Sequence, residues 1–185
     1  MILSDYDLIN AIRHKRIVIR PFMKETIREN GVDFRLDDQI ARHKKHAGKF
    51  VLDPSNAKHV KETYSVAKGQ RKLILEPHEQ VLLSTYEYME MPDDVMGFVE
   101  LRSTWARHGI SMPPTIIDAG FKGNVTLEVI NNAPYSIALS PMQRFAHIIF
   151  VKTNNKVESA YLGSYMGQRG VRLPKVLSET PRSGR

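Results

Sequence analysis

The chain has 185 residues, of which 42% are hydrophobic and 25% are charged, as is typical of one globular domain and not of a disordered chain. It contains no Cys, which excludes disulfides, a thiolate nucleophile and any zinc site with Cys ligands. No apolar run reaches the roughly 18 residues of a membrane span, and no secretion signal is recognisable, so we expect a cytoplasmic protein without membrane partners.

The formal net charge of +7 favours an anionic partner such as a nucleotide, a nucleic acid or an acidic surface. Part of the excess lies near the C-terminus, at Lys175, Arg182 and Arg185, where it is equally typical of a solvated tail. Charge therefore indicates a class of partner and no particular ligand.

The N-terminal residues predict a helix. Ser4 and Asp7 have the spacing of a capping box, and Leu3 and Leu8 lie where a hydrophobic staple would lie. Apolar residues then recur at helical spacing, so we expect one face of this helix to pack against the core.

Two short strands and a polar segment follow the helix. The β-branched run 16–20 is stopped by Pro21 and predicts a strand, and the alternation over 32–36 predicts a half-buried strand. Residues 41–72 are polar, rich in Lys and His and weakly periodic. This composition indicates an excursion or mobile insert, to which we assign no chemistry.

The remainder of the chain alternates short apolar runs with turn residues. These runs predict strands at 73–75, 81–83, 98–99, 125–130, 137–139 and 145–151. Many short strands with few helices predict a mainly β fold, a sandwich or barrel with jelly-roll-like connections. We expect a single domain over residues 1–176 and a flexible tail over 177–185.

The segment from Arg102 to Arg107 brings two guanidinium groups and two hydroxyls close together. Ser103 to His108 has helical composition with Gly109 at the C-cap, so Ser103 and Arg107 fall on one face. Guanidinium groups, hydroxyls and the free amides of a helix start suit phosphate oxygens. A capped surface helix with two solvated arginines has the same composition.

A second segment places two carboxylates around a predicted strand. Asp118 precedes glycines that let the backbone approach a ligand, although a turn aspartate that bonds its own backbone looks the same. Glu128 shares a strand face with Thr126 and Ile130. In partly apolar surroundings its pKa would be raised, as a group that alternates between base and acid requires. An exposed face of an edge strand would explain the same pattern.

Together these segments resemble the dCTP deaminase family, a branch of the trimeric dUTPase-like superfamily. The resemblance covers nearly the whole chain and depends on the order and spacing of several motifs. They lie at 1–5, 17–22, 30–36, 102–107, 117–121, 126–128, Tyr161 and 167–170.

The resemblance implies a mainly β fold, a distorted β-barrel or jelly roll of the dUTPase-like type. It also implies a homotrimer with active sites between subunits, dCTP as the substrate, and Mg²⁺ carried by the triphosphate without a protein metal site. It implies that Glu128 donates and accepts protons, that Ser103 holds the attacking water and that Arg107 assists at the reacting base. It further implies substrate contacts at Arg102 and Thr104 for phosphates, Asp118 for the deoxyribose, Tyr161 and Gln168 over the triphosphate, and Trp105, Ala106, Thr126 and Leu127.

The composition agrees with this chemistry. Zinc-dependent deaminases activate water at a His/Cys/Cys site, which a chain without Cys cannot form. A deaminase with this sequence must therefore activate water with a positioned carboxylate.

The chain differs from the family at two points. Ser164 stands four residues before Gln168, where many members carry Lys, and Pro113-Pro114-Thr115 replaces a turn that more often contains Thr-Ala. One phosphate contact and the orientation of the attacking water are the features that these differences affect.

Three alternatives remain open at this point. A dUTP diphosphatase and a bifunctional enzyme that converts dCTP to dUMP would share Asp118; Glu128 favours deamination but does not separate a monofunctional from a bifunctional enzyme. A non-catalytic basic β-barrel that binds nucleic acid is the third. Strands over 125–150 contain few aromatic residues on which bases could stack, so we expect no nucleic-acid partner.

Overall fold

The computed structural model describes residues 1–46 and 48–177, and within these ranges the fold is mainly β, which confirms the predicted fold class. No helix in these two ranges combines the length and the apolarity needed to cross a membrane. The helices are α1 (Asp5–Arg13), α2 (Ala57–Thr63) and α3 (Ser103–Arg107), and a 3₁₀ turn lies at Lys24–Thr26.

Short strands form most of the described structure. The predicted strands at 73–75 and 137–139 are confirmed to the residue, and the others are confirmed with shifted ends. In chain order the strands are β1 (Val18–Arg20), β2 (Ile27–Arg28), β3 (Gly31–Arg35), β4 (Ile40–His43), β5 (Tyr64–Ala67), β6 (Leu73–Leu75), β7 (Gln80–Ser84), β8 (Tyr88–Glu90), β9 (Val95–Leu101), β10 (Ile110–Ser111), β11 (Thr115–Ile117), β12 (Lys122–Gly123), β13 (Thr126–Asn131), β14 (Ile137–Leu139) and β15 (Arg144–Lys152).

Two five-stranded antiparallel sheets dominate the architecture, with strand orders β11-β9-β15-β3-β2 and β10-β13-β7-β4-β5. Smaller sheets, β1-β8-β12 and β14-β6, complete a jelly-roll-like arrangement in which the described strands do not close into one barrel. One apolar core contains Phe34 and Phe150 from the first large sheet and Leu83 and Leu127 from the second. The core therefore fixes the two sheets against each other.

Helix α1 begins as the sequence predicts. The Ser4 side chain accepts from the Asp7 amide, and the Asp7 carboxylate accepts from the Ser4 amide at 3.0 Å, so the capping box is complete. Leu8 is fully buried, and Leu3 packs against the core. The apolar face of the helix therefore attaches the N-terminus to the domain.

Strand β3 corrects the prediction of a half-buried strand, because all five of its residues are buried. Its two charged side chains are buried together with partners. The Arg35 Nε donates to Glu87 Oε1 at 2.5 Å, and the Arg35 amide donates to Glu87 Oε2 at 2.8 Å. Burial raises the pKa of Glu87, and its bonds to Arg35 oppose that rise. Alternating charge here marks paired buried groups and not a solvated face.

The segment 41–72 also differs from expectation, because much of it is regular. Strand β5 is one edge of the β10-β13-β7-β4-β5 sheet and pairs with β4, and α2 lies between these two strands in the chain. Residues 42–72 contain nine Lys or Arg and two Asp or Glu, an excess equal to the formal charge of the whole chain, +7. Most of the positive charge excess therefore lies in this segment, and the smaller excess near the C-terminus falls mainly outside the described residues.

The predicted tail lies outside the described residues apart from Leu177. The Leu177 amide donates to the Pro54 carbonyl oxygen at 2.9 Å, which ties the end of the described chain to the loop before α2. The single-domain boundary at residue 176 stays a prediction.

Candidate active site

Glu128 lies on β13, in the sheet that also contains β7 and β4. Leu127 and Val129 point into the core and are 1% and 0% exposed, whereas Thr126, Glu128 and Ile130 lie partly exposed on the other face. Burial raises the pKa of Glu128, and a hydrogen bond from its own amide opposes part of that rise. A carboxyl group of this kind is suited to exchange protons near neutrality.

A cavity of about 610 Å³ lies over this face of the sheet, and we call it the Glu128 cavity. Its volume is in the usual range of small-molecule sites, about 300–1,000 Å³. Four further residues predicted from the resemblance line it together with Glu128: Asp118, Thr126, Tyr161 and Gln168. The remaining lining residues are Tyr64, Gln80, Leu82, Thr115, Ile116, Ile117, Phe121, Val125, Tyr165, Arg172 and Pro174.

Asp118 begins the tight turn that follows β11. Gly120 in this turn has φ +86°, and a Cβ atom there would lie 2.6 Å from Ala160 Cβ. The absence of a side chain lets the C-terminal segment approach, and the Tyr161 amide donates to the Ala119 carbonyl oxygen at 3.0 Å. The turn thus places Asp118 and Tyr161 at one end of the cavity.

The C-terminal segment crosses the end of β13. The Gln168 Nε2 donates to the Asn124 carbonyl oxygen at 2.5 Å, and the Arg172 amide donates to Thr126 Oγ1 at 3.1 Å. Gln168 Oε1 is buried without a hydrogen-bond partner among residues 1–46 and 48–177. An unpaired buried acceptor costs stability, so packing alone does not account for this side chain.

A second, smaller cavity of about 280 Å³ lies beside α3, and we call it the α3 cavity. Arg102, Ser103 and Thr104 line it. Trp105 holds the helix in place, because its Nε1 donates to the Arg144 carbonyl oxygen at 2.9 Å. The other members of the α3 cavity are Arg28, Glu29, Asp33, Glu100, Leu101 and His147.

Helix α3 ends close to the predicted point, with His108 as the C-cap and Gly109 next, at φ +90°. Ala106 and Arg107 are exposed and line neither cavity. The Leu127 side chain is buried in the core, so only its main chain can meet a ligand.

The two cavities share no lining residue. Within one chain Ser103 and Arg107 therefore do not line the cavity that contains Glu128, whereas Asp118, Thr126, Tyr161 and Gln168 do. The sequence predicted both groups of residues, and their separation is a property of the fold.

Comparison with known proteins identifies the family. The dCTP deaminase-like family matches residues 2–153. The dCTP deaminases of Saccharolobus solfataricus and Staphylothermus marinus are 48% and 46% identical over 179 and 178 residues, which cover 97% and 95% of this chain and 94% and 99% of theirs. This chain belongs to the dCTP deaminase family. The crystal structure of 2′-deoxycytidine 5′-triphosphate deaminase from Agrobacterium tumefaciens shares the fold, with a TM-score of 0.62 and 17% identity over 80% of this chain and 46% of that one.

The two points at which this chain differs from other dCTP deaminase family members lie at different places relative to the Glu128 cavity. Ser164 is exposed and does not line the Glu128 cavity. Pro113 and Pro114 directly precede β11, whose first residue, Thr115, does line it. Arg172 is the basic side chain that this cavity contains.

Tyr64 is a cavity residue that sequence reasoning missed in this dCTP deaminase family member. It lies on β5, its ring 4.5 Å from that of His43, its cross-strand partner. Burial raises the pKa of the Tyr64 hydroxyl, and the Glu128 carboxylate raises it further. The available signal was a short run of strand-forming residues after α2, which the surrounding lysines obscured.

Proposed function

We propose that this protein catalyses the hydrolytic deamination of dCTP to dUTP and ammonia, with Glu128 relaying the protons. The observation that carries the proposal is the half-buried Glu128 carboxyl, with its raised pKa, in a nucleotide-sized cavity that also contains Asp118. The names of the two relatives from Saccharolobus solfataricus and Staphylothermus marinus support dCTP as the substrate. The alternatives of a dUTP diphosphatase and a nucleic-acid-binding barrel have no comparable support.

The reaction needs a group that removes a proton and returns it. The Glu128 carboxylate takes a proton from water as the water oxygen bonds to C4 of cytosine, and it gives that proton to N3. The new C4 hydroxyl then gives up its proton, which Glu128 passes to the amino group. The C4–N bond breaks, ammonia leaves, and C4 becomes the carbonyl carbon of uracil.

The α3 residues supply the other half of the proposed site from a neighbouring subunit of a homotrimer. Ser103 holds the attacking water, and Arg107 stabilises the charge that develops on the ring. This arrangement accounts for the exposure of Arg107 and for the separation of the two cavities within one chain.

The remaining contacts in the proposal follow the positions of the side chains. Arg102 and Thr104 bind phosphates, Asp118 binds the deoxyribose, and Tyr161 and Gln168 lie over the triphosphate. Trp105, Ala106, Thr126 and Leu127 complete the substrate contacts, with Leu127 acting through its main chain because its side chain is in the core.

We also propose that the substrate enters as the Mg²⁺ complex of dCTP. Magnesium is normally held through phosphates and one or two carboxylates, with water as the other ligands. Among the described residues no group of three or more His, Asp or Glu side chains could hold a metal.

Product analysis tests the function directly. Incubation with Mg²⁺ and dCTP is expected to give dUTP and ammonia in equal amounts, as measured by anion-exchange chromatography and a coupled ammonia assay. Accumulation of dUMP and pyrophosphate would instead establish the bifunctional enzyme. Pyrophosphate release from dUTP without ammonia release from dCTP would establish the diphosphatase and reject deamination.

The pH dependence of turnover should reveal the environment of Glu128. Because Glu128 must begin as a carboxylate, kcat should fall as the pH drops through its pKa, which burial raises above the ordinary 4.5. We expect the acidic limb of kcat to have its midpoint above that value, measured at saturating dCTP and constant ionic strength. A limb at or below 4.5 in protein that circular dichroism shows to be folded would contradict the assignment.

A further inference from the structure

The motif at residues 30–36 contributes to the family resemblance, and its charged residues Asp33 and Arg35 do not line the Glu128 cavity. On β3, Asp33 is only 2% exposed. A carboxylate buried in this way is costly unless other groups compensate its charge. The basic groups that neutralise Asp33 therefore indicate which side chains it positions.

Three basic side chains from two other strands and their ends surround Asp33. His147 Nδ1 lies 3.0 Å from Asp33 Oδ1. Arg102 Nε lies 3.2 Å from Asp33 Oδ2, and Arg144 Nη1 lies 3.6 Å from the same atom. Both contacts are ion pairs, because Oδ2 accepts no hydrogen bond from residues 1–46 and 48–177. Two of these residues, Arg102 and His147, line the α3 cavity with Asp33 itself.

Arg102 is held at a second point as well. Its Nη1 donates to the Arg144 carbonyl oxygen at 3.2 Å, the same oxygen that accepts from Trp105. The Arg102 side chain nevertheless remains 30% exposed. Its guanidinium group is therefore restrained on one side and accessible from the cavity on the other.

The acidic residues of the α3 cavity make the orientation of Arg102 important. Glu29 and Glu100 line it as well as Asp33, whereas Arg28 and Arg102 are its arginines. Net charge in this cavity does not favour an anion. A phosphate would have to be bound by the directed N–H groups of one well-placed guanidinium and the neighbouring hydroxyls.

We propose that Asp33 is a positioning residue that fixes the Arg102 guanidinium for the phosphates of the substrate. The inference depends on the proposed function for the identity of the substrate. The ligand chemistry that it requires is a phosphate chain beside Arg102, Ser103 and Thr104.

The variant Asp33→Asn distinguishes two explanations of substrate binding, the orientation of Arg102 and the net charge of the cavity, because they predict opposite changes in KM for dCTP. If Asp33 orients Arg102, KM for dCTP should rise about tenfold while kcat stays within about twofold, because an interaction made equally in ground and transition states is lost. If net charge governed binding, removing a negative charge would lower KM. A lowered or unchanged KM would overturn the proposal.

A double-mutant cycle tests whether Asp33 acts through Arg102. Added to Arg102→Ala, Asp33→Asn should change KM by less than about twofold, since the group that it positions is already gone. A further increase equal to that of the single variant would show that the two residues act independently and would overturn the proposal.

Glu87→Gln is the matched control for general damage. It breaks the other buried ion pair of β3, that of Arg35, which lines neither cavity. We expect a lower Tm with KM for dCTP unchanged. If Asp33→Asn does not fold, Asp33→Glu, which keeps the charge but displaces it, should raise KM to a smaller extent; wild-type KM in that variant would overturn the proposal.

Binding of inorganic tripolyphosphate separates this inference from the proposed function. The sequence has a single Trp, Trp105, which directly follows Thr104 of this cavity on α3, so its fluorescence is the signal used to follow binding there. Tripolyphosphate should bind the wild-type protein and bind Asp33→Asn about tenfold more weakly. Equal affinities would overturn the role of Asp33 whether or not the protein deaminates dCTP. If the two proteins differ in affinity for tripolyphosphate but the wild type does not deaminate dCTP, only the proposed function is rejected.

Discussion

Replacing Glu128 with glutamine is expected to lower kcat for ammonia release by about 10²–10⁴-fold, the usual contribution of a general acid–base group. Glutamine keeps the shape of the side chain but cannot remove a proton from water. The Kd for dCTP should stay within about threefold of wild type, because the contacts to phosphates and sugar are unchanged. Single-turnover kinetics and calorimetric titration with dCTP measure the two effects separately. Unchanged turnover would reject Glu128 as the proton relay.

The stability of Glu128→Gln provides its control. Burial raises the folded-state pKa of Glu128 above 4.5, so ionisation of this group opposes folding. The penalty is absent below 4.5, grows as the pH rises through the shifted pKa, and is constant above it. The variant should therefore have a Tm higher by about 2–4 °C per kcal/mol of relieved penalty at alkaline pH and a wild-type Tm in acid. A lower Tm at alkaline pH would attribute the lost activity to misfolding.

The local sequence pattern predicted β13 well because one face of this strand is in the core along its whole length and the other face is partly exposed. Leu127 and Val129 face the core and Thr126 and Glu128 face the cavity, so the period of two in the sequence is also the period of burial. The same reasoning was wrong for β3. Asp33 and its neighbours are covered on both faces, and that cover comes from distant parts of the chain that a local pattern does not contain.

The segment 41–72 shows a second limit of the sequence. Its lysines mask short strands whose partners are distant: Ala41 pairs with Leu82, which in turn pairs with Glu128. Local composition describes the solvated surface of such an edge and says nothing about the strand beneath it. Tyr64 was missed as a cavity residue for this reason, whereas Asp118 and Glu128, within a few residues of clear turns and strands, were found.

Neither the local sequence pattern nor the structure of a single chain places Ser103 in the cavity that contains Glu128. Their cavities are separate, and Arg107 is exposed. A proton relay requires its water within hydrogen-bond reach, so we propose that another copy of the chain completes a site that uses both Glu128 and Ser103. In the proposed homotrimer each site takes Glu128 from one subunit and α3 from the next.

Two inactive variants should consequently restore each other in mixed trimers. Glu128→Gln and the double variant Ser103→Ala/Arg107→Ala carry different tags and are co-expressed, and tandem purification retains only trimers that contain both. Around any such ring one junction of three joins an intact Glu128 to an intact α3, so activity should recover to about one third of wild type. Light scattering confirms the trimer, and each variant purified with two tags but no partner gives the background. If verified mixed trimers show only background activity, Glu128 and the α3 residues act within one subunit. That result would reject a site formed by two subunits.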